Sequence, residues 1–197
     1  MFTLVVTEGL LEEPTARKLL DVLGVDHNET RFISKGGKES FWRDAGKYNR
    51  AARHAGPVLG IADLEAEPCP SGLIARYLPH GRHPSFLVRV AERTLEAWLL
   101  ADRHAISRYF GVPIARVPRN PEVLEHPKRS IVNLARQSQK RDIVEDVVPM
   151  EGSEGVVGRG YTSRMTLFIR AAWRPHEASV NSESLRRAIA AIEALPE

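Results

Sequence analysis

Residues 57–65 read Pro57-Val58-Leu59-Gly60-Ile61-Ala62-Asp63-Leu64-Glu65. Proline brings no N–H to a ladder, so Pro57 restarts the chain just before a strand. The five residues from Val58 to Ala62 are apolar without alternation. Such a run marks a strand buried on both faces, as in a parallel sheet with helices above and below. Three other segments read as strands: Leu4 to Val6, Thr30 to Ser34, and Phe86 to Val90. Helical patterns lie between them, with Ala16, Leu19, Leu20 and Leu23 on one face, then residues 39–54 and 71–78. A long amphipathic helix is expected from about Thr94 to Phe110. Strands that alternate with helices need crossover connections, which predicts an α/β fold with about four parallel strands flanked by helices.

Gly111 closes that pattern. Pro113, Pro118, Pro121 and Pro127 punctuate the next segment, and helices are expected at about 127–136, 161–173 and 182–195. Asn181 or Ser182 would cap the last of these. Residues 151–160 hold four glycines and read as a flexible loop or lid. No strand is expected here. Residues 1–111 therefore form the α/β core, and residues 112–197 a helical extension packed on it as part of one structural unit.

The composition is that of an ordinary globular chain: 197 residues, 43% hydrophobic, 27% charged, net charge +3. No apolar run approaches the roughly 20 residues of a membrane span. The first residues carry no basic leader, so a cytoplasmic location is expected. One cysteine, Cys69, can form neither an internal disulfide nor a cysteine-cluster metal site. The basic residues are mostly arginine and form no polybasic stripe of the kind that announces nucleic acid by itself. The spacings of a P-loop, a dinucleotide fingerprint and a hydrolase nucleophile elbow are all missing. His80 and His83 sit in a Gly/Pro loop, where a solvated role outweighs metal ligation.

The acids carry more. In a parallel α/β sheet the ligand crevice lies beyond the C-terminal ends of the strands, and three of the four strands end in carboxylates. Glu8 follows the first, Asp63 and Glu65 the third, and Glu92 the fourth, with Glu96 one helical turn further on. In an extended Asp-x-Glu both side chains point to the same side. Carboxylates gathered in one crevice repel each other unless a cation joins them, and hard oxygen ligands select Mg²⁺, Mn²⁺ or Ca²⁺ over soft metals. Glu8, Asp63, Glu65 and Glu96 are the candidate ligands, with at least three expected to converge and raise one another's pKa. Glu12, Glu13, Glu67 and Glu92 are assigned instead to helix N-termini, where the dipole favours acids. Trp98 is assigned to the core, and Asp102 to a local cap or salt bridge.

The Glu8-Gly9 turn after the first strand and Asp63-Leu64-Glu65 after the third resemble the two signatures of the Toprim fold. The run Leu95-Glu96-Ala97-Trp98-Leu99-Leu100-Ala101-Asp102 resembles a segment of the domain-of-unknown-function 4276 proteins. Those are Toprim-like bacterial proteins akin to RloB and distantly to the overcoming-lysogenization-defect nucleases. Residues 181–186 are similar to the start of that group's C-terminal helix. The resemblance implies a Toprim-like fold and a Mg²⁺- or Mn²⁺-dependent nuclease or phosphotransferase acting on nucleic acid, in a bacterial defence setting. Glu8 and Asp63 would be catalytic, with Glu65 and Glu96 completing the ligands; Glu65 departs from the family's shorter aspartate. Among the basic residues Lys35, Lys38, Arg43, Lys128 and Arg129, the choice for the nucleic-acid backbone falls on Lys38, Lys128 and Arg129. The alternative is a non-catalytic partner of another protein, such as an ATPase.

Overall fold

All four expected strands form. The structure, a computed structural model, describes residues 1–195. Strands β1 (Leu4–Thr7), β2 (Arg31–Ser34), β3 (Val58–Asp63) and β4 (Phe86–Ala91) make one sheet in the order β2-β1-β3-β4. Every pair is parallel, and Thr7 stands beside Ser34 on one side and Ile61 on the other. Helix α1 (Glu12–Val22) follows β1; α2 (Lys38–Arg43) and α3 (Ala45–His54) follow β2; α4 (Pro70–Tyr77) follows β3. After β4 come α5 (Leu95–Ala101) and α6 (Arg103–Phe110). The remainder holds α7 (Pro127–Ala135), α8 (Arg141–Val147), α9 (Tyr161–Ala171), α10 (Pro175–Ser179) and α11 (Glu183–Glu193), with no strand among its described residues. This is the parallel α/β arrangement expected of a Toprim-like fold.

Each face of the sheet buries its own core. Val6, Val58, Phe86 and Val88 pack with Phe41, Trp42 and Leu73 on one side. Val5, Leu59, Ile61 and Leu87 pack on the other with Leu19, Trp98, Phe168 and Ile189. The second core draws residues from both parts of the chain, so the extension shares its hydrophobic interior with the sheet. Trp98 is fully buried there, and its indole N–H donates to Ser184 Oγ at 2.7 Å.

Two expected helices are each split by an aspartate. The 39–54 helix breaks at Asp44, whose carboxylate is held by Lys35 and Lys47, both at 2.7 Å. The 94–110 helix breaks at Asp102, whose ψ of 73° leaves the helical region. Asp102 then caps α6 by accepting the Ala105 N–H at 3.1 Å. Hydrophobic period alone runs through both breaks. At Asp102 a short side-chain acceptor competes with the helix without altering the apolar pattern. Asp44 makes no cap bond, and its carboxylate is taken by the two lysines. Helices α8 and α10 are short and lie outside the helical segments expected from the sequence. Ser182 is the cap of α11, while Asn181 donates to the Ala101 carbonyl.

Gly60 keeps β3 close to its neighbours. A Cβ there would lie 3.1 Å from Phe41 Cζ and 3.2 Å from Phe86 Cε2, two rings that are completely buried. Gly60→Ala should therefore destabilise the fold by about 1–3 kcal/mol through overpacking. Urea unfolding measures this, and an unchanged midpoint would mean that the rings have room to move.

Candidate active site

Strands β1 and β3 are neighbours, yet the chain leaves β1 toward β2 on one side and β3 toward β4 on the other. That makes the gap beyond their C-terminal ends the topological switch point, where α/β sheets bind ligands. Glu8 and Asp63 flank it. Glu8 is 7% exposed, and its Oε2 accepts the Asp63 N–H at 3.3 Å. Asp63 Oδ1 accepts the Leu95 N–H at 2.8 Å, at the start of α5. At the next position of that helix, Glu96 is buried; its Oε1 accepts the Tyr161 hydroxyl at 3.1 Å and lies 3.5 Å from Lys128 Nζ.

A fourth carboxylate joins them from α1. Glu12 is buried, and its side chain curls back over the turn after β1. A Cβ on Gly9 would stand 2.8 Å from Glu12 Oε2, so a larger residue there would make the Glu12 carboxylate shift from its place over the turn. Sequence reasoning assigns Glu12 to the helix dipole. It does sit in the first turn of α1, but its charge is felt by both Glu8 and Asp63. Its spacing of four residues from Glu8 is the available signal. Tyr161 has none, since it reaches the site only through the packing of α9.

The electrostatics follow from burial and repulsion. Loss of solvent raises the Glu8 carboxyl to about 7; the Asp63 N–H opposes this, while Glu12 and Glu65 reinforce it. Asp63 is pushed well above the usual range by burial, then by Glu12, Glu96 and Glu8. Glu12 is raised by burial and by Glu96, and Tyr161 rises by burial and the negative charge of Glu96. Among the described residues, no arginine or lysine forms an ion pair with Glu8, Glu12 or Asp63.

Glu65 departs from expectation. The strand-like path continues through Leu64, whose N–H bonds the Ala91 carbonyl, and Glu65 then takes a left-handed φ of 56°. Its half-exposed carboxylate pairs with Lys38 at 2.8 Å instead of following Asp63 into the crevice. Lys38 is thereby engaged at the rim, with Glu67 at 3.8 Å. Lys128 is brought to the site through Glu96. Arg129 is not; it lines a separate cavity of about 330 Å³ with Arg136 and Glu154. Lys35 is taken up by Asp44, and Arg43 donates to Ser40. Glu92 lies off the α5 face that carries Glu96, at the β4 edge.

No protein-family model, no curated protein and no solved structure matches this chain.

The arrangement itself limits the chemistry. Glu8, Asp63 and Glu96 are each held by a different protein donor, and among the described residues no three acidic, histidine or cysteine side chains are gathered at coordination distance. The donors are nonetheless all hard oxygens, and the raised pKa values of Glu8, Glu12 and Asp63 mark negative charge in want of compensation. That set fits Mg²⁺ or Mn²⁺ in kind. His83 Nδ1 accepts the Ser85 N–H within its loop, and Cys69 Sγ caps α4 by accepting the Gly72 N–H. No described helix is long and apolar enough to cross a membrane.

Proposed function

We propose that the protein is a divalent-cation-dependent enzyme that cleaves or transfers phosphodiesters of nucleic acid. The observation that carries this is the meeting of Glu8, Glu12, Asp63 and Glu96, from four separate points of the chain, at the switch point, with no arginine among the described residues to neutralise them. A buried carboxylate cluster costs stability unless it serves a cation or a proton transfer. Glu8, Asp63 and Glu96, with Glu12 behind them, would hold the ion, which supplies positive charge against a phosphate. Glu8 Oε2 is occupied by the Asp63 N–H, which leaves Oε1 to exchange a proton. In the cation-free crevice its pKa is about 7, set by burial and the neighbouring acids, and a cation held at the cluster would lower it, so Glu8 would act as the base. The Tyr161 hydroxyl orients Glu96, and Lys128 and Lys38 stand beside the crevice to draw in a polyanion.

The test is cleavage of single- and double-stranded DNA and RNA with Mg²⁺ or Mn²⁺, comparing wild type with Glu8→Gln and Asp63→Asn. Each variant should lose roughly 10²–10⁴-fold in rate. Equal rates in wild type and both variants would overturn the proposal. Cation binding without turnover on any substrate would favour a non-catalytic partner role for the same site.

A further inference from the structure

The edge strand β4 carries a guanidinium that nothing in the described fold uses. Arg89 makes no side-chain hydrogen bond and no ion pair with any described residue, and its Nε is buried. Burial and the neighbouring Arg82 guanidinium both hold it below the usual arginine range. Only Nε is sealed from water without a partner, so the terminal Nη donors remain open to an anion. Arg89 also faces space. It lines a cavity of about 510 Å³ together with Arg82, Glu92, Ile74, Val88 and Val90. Such a volume falls within the range of small-molecule pockets.

The acids around this cavity are already committed, with one exception. Glu122 accepts from the hydroxyls of Ser182 and Ser184 and from the N–H groups of Glu183 and Ser184. Glu183 is held by Arg186 and Arg187. The Glu92 carboxylate alone has no partner among the described residues. Arg82 spends Nη1 on main-chain carbonyls, including those of His83 and Phe86, and keeps its other donors. Of the three arginines that line the cavity, Arg187 is held by Glu183, which leaves the guanidiniums of Arg82 and Arg89, an apolar wall, and one free acceptor. Two arginines match the double charge of a phosphomonoester better than the single charge of a carboxylate.

We propose that this cavity binds a phosphate-bearing small molecule of nucleotide size, with its phosphate on Arg89 and Arg82. The uncharged body would lie against Ile74, Val88 and Val90, and a hydroxyl or amino group would meet Glu92. Ser184, in the cavity wall, bonds Trp98 behind it, so core packing lies between this cavity and the carboxylate crevice. None of the four crevice acids lines this cavity, so the proposal does not rest on the activity proposed for the crevice.

Calorimetric titration of the full chain with adenosine monophosphate tests it, with adenosine, inorganic phosphate and acetate as comparison probes. Saturable binding of the nucleotide is expected, displaced by inorganic phosphate and not by acetate. Arg89→Gln and Arg82→Gln should each weaken it at least about tenfold, while Glu8→Gln should leave it unchanged. Thermal melting provides a second reading: phosphate should raise the wild-type midpoint and not that of Arg89→Met. If that variant fails to fold, the Arg82→Gln titration and the wild-type shift decide. No saturable binding, equal affinity for adenosine, displacement by acetate, or undiminished binding in the arginine variants would each overturn the assignment.

Discussion

Replacing Glu8 by glutamine should make the cation-free protein more stable at pH 8. The Glu8 carboxyl titrates at about 7 in the fold against 4.5 as an ordinary glutamate, so the folded state binds its proton more tightly than the unfolded chain does. Stability from that difference is fully present below pH 4.5 and is lost as pH rises through 7. Above pH 7 the charged, buried carboxylate costs about 3 kcal/mol, which the amide removes. For a chain of this size that is roughly 6–12 °C in melting midpoint. Asp63 and Glu12 shift in the same direction. Asp44 and Glu183 shift oppositely, to about 2 under their lysine and arginine partners, so their contribution is fully present above pH 4.5 and fades as pH falls toward 2. Melting in chelator at pH 5 and pH 8 should show the wild type losing stability between them and Glu8→Gln losing less, the remaining loss coming from Asp63 and Glu12, which the variant keeps. Added Mg²⁺ or Mn²⁺ should restore the wild type at pH 8 and do little for the variant. Parallel melting curves for the two proteins would show that Glu8 carries no such penalty.

The other large effect is expected at the opposite end of α5 from Glu96, at Asp102. This residue is 2% exposed and accepts four hydrogen bonds: from the Ala105 N–H, and from the Arg174 N–H, Nε and Nη2. It caps α6 and ties the segment between α9 and α10 to the break between α5 and α6. Asp102→Ala removes the cap and strands a guanidinium, an expected loss of about 3 kcal/mol, moderated because Arg174 is 42% exposed and can recover water. Asp102→Asn, which keeps an acceptor for the cap, should lose less. Equilibrium urea unfolding separates the two, and a loss below about 1 kcal/mol for alanine would mean that the pair is worth no more than a surface bridge.

The sequence displays the sheet clearly because each strand is short, apolar and bounded by turn residues, so period and length agree. The same reading places Glu8, Asp63 and Glu96 around one crevice, since strand ends in a parallel sheet share a rim. It cannot foresee Glu65, because a single left-handed residue redirects a side chain without disturbing any pattern. Glu12 is visible but ambiguous: a first-turn acid satisfies the helix dipole and can face a crevice at the same time. Asp102 is recognisable as a cap or salt-bridge residue, whereas its partner Arg174 lies 72 residues away and no local spacing connects them. Arg89 reads as one more polar position in a strand; only the structure shows that its guanidinium has no partner among the described residues.

Because Lys128 and Tyr161 reach Glu96 from α7 and α9, the crevice is assembled from both parts of the chain. On the ribosome the strands and all four clustered carboxylates emerge well before Tyr161. A nascent chain that has reached Gly111 holds the acids without the hydroxyl and ammonium groups that steady Glu96, and with much of the larger core still open to water. The site proposed here is thus complete only once α9 has been made.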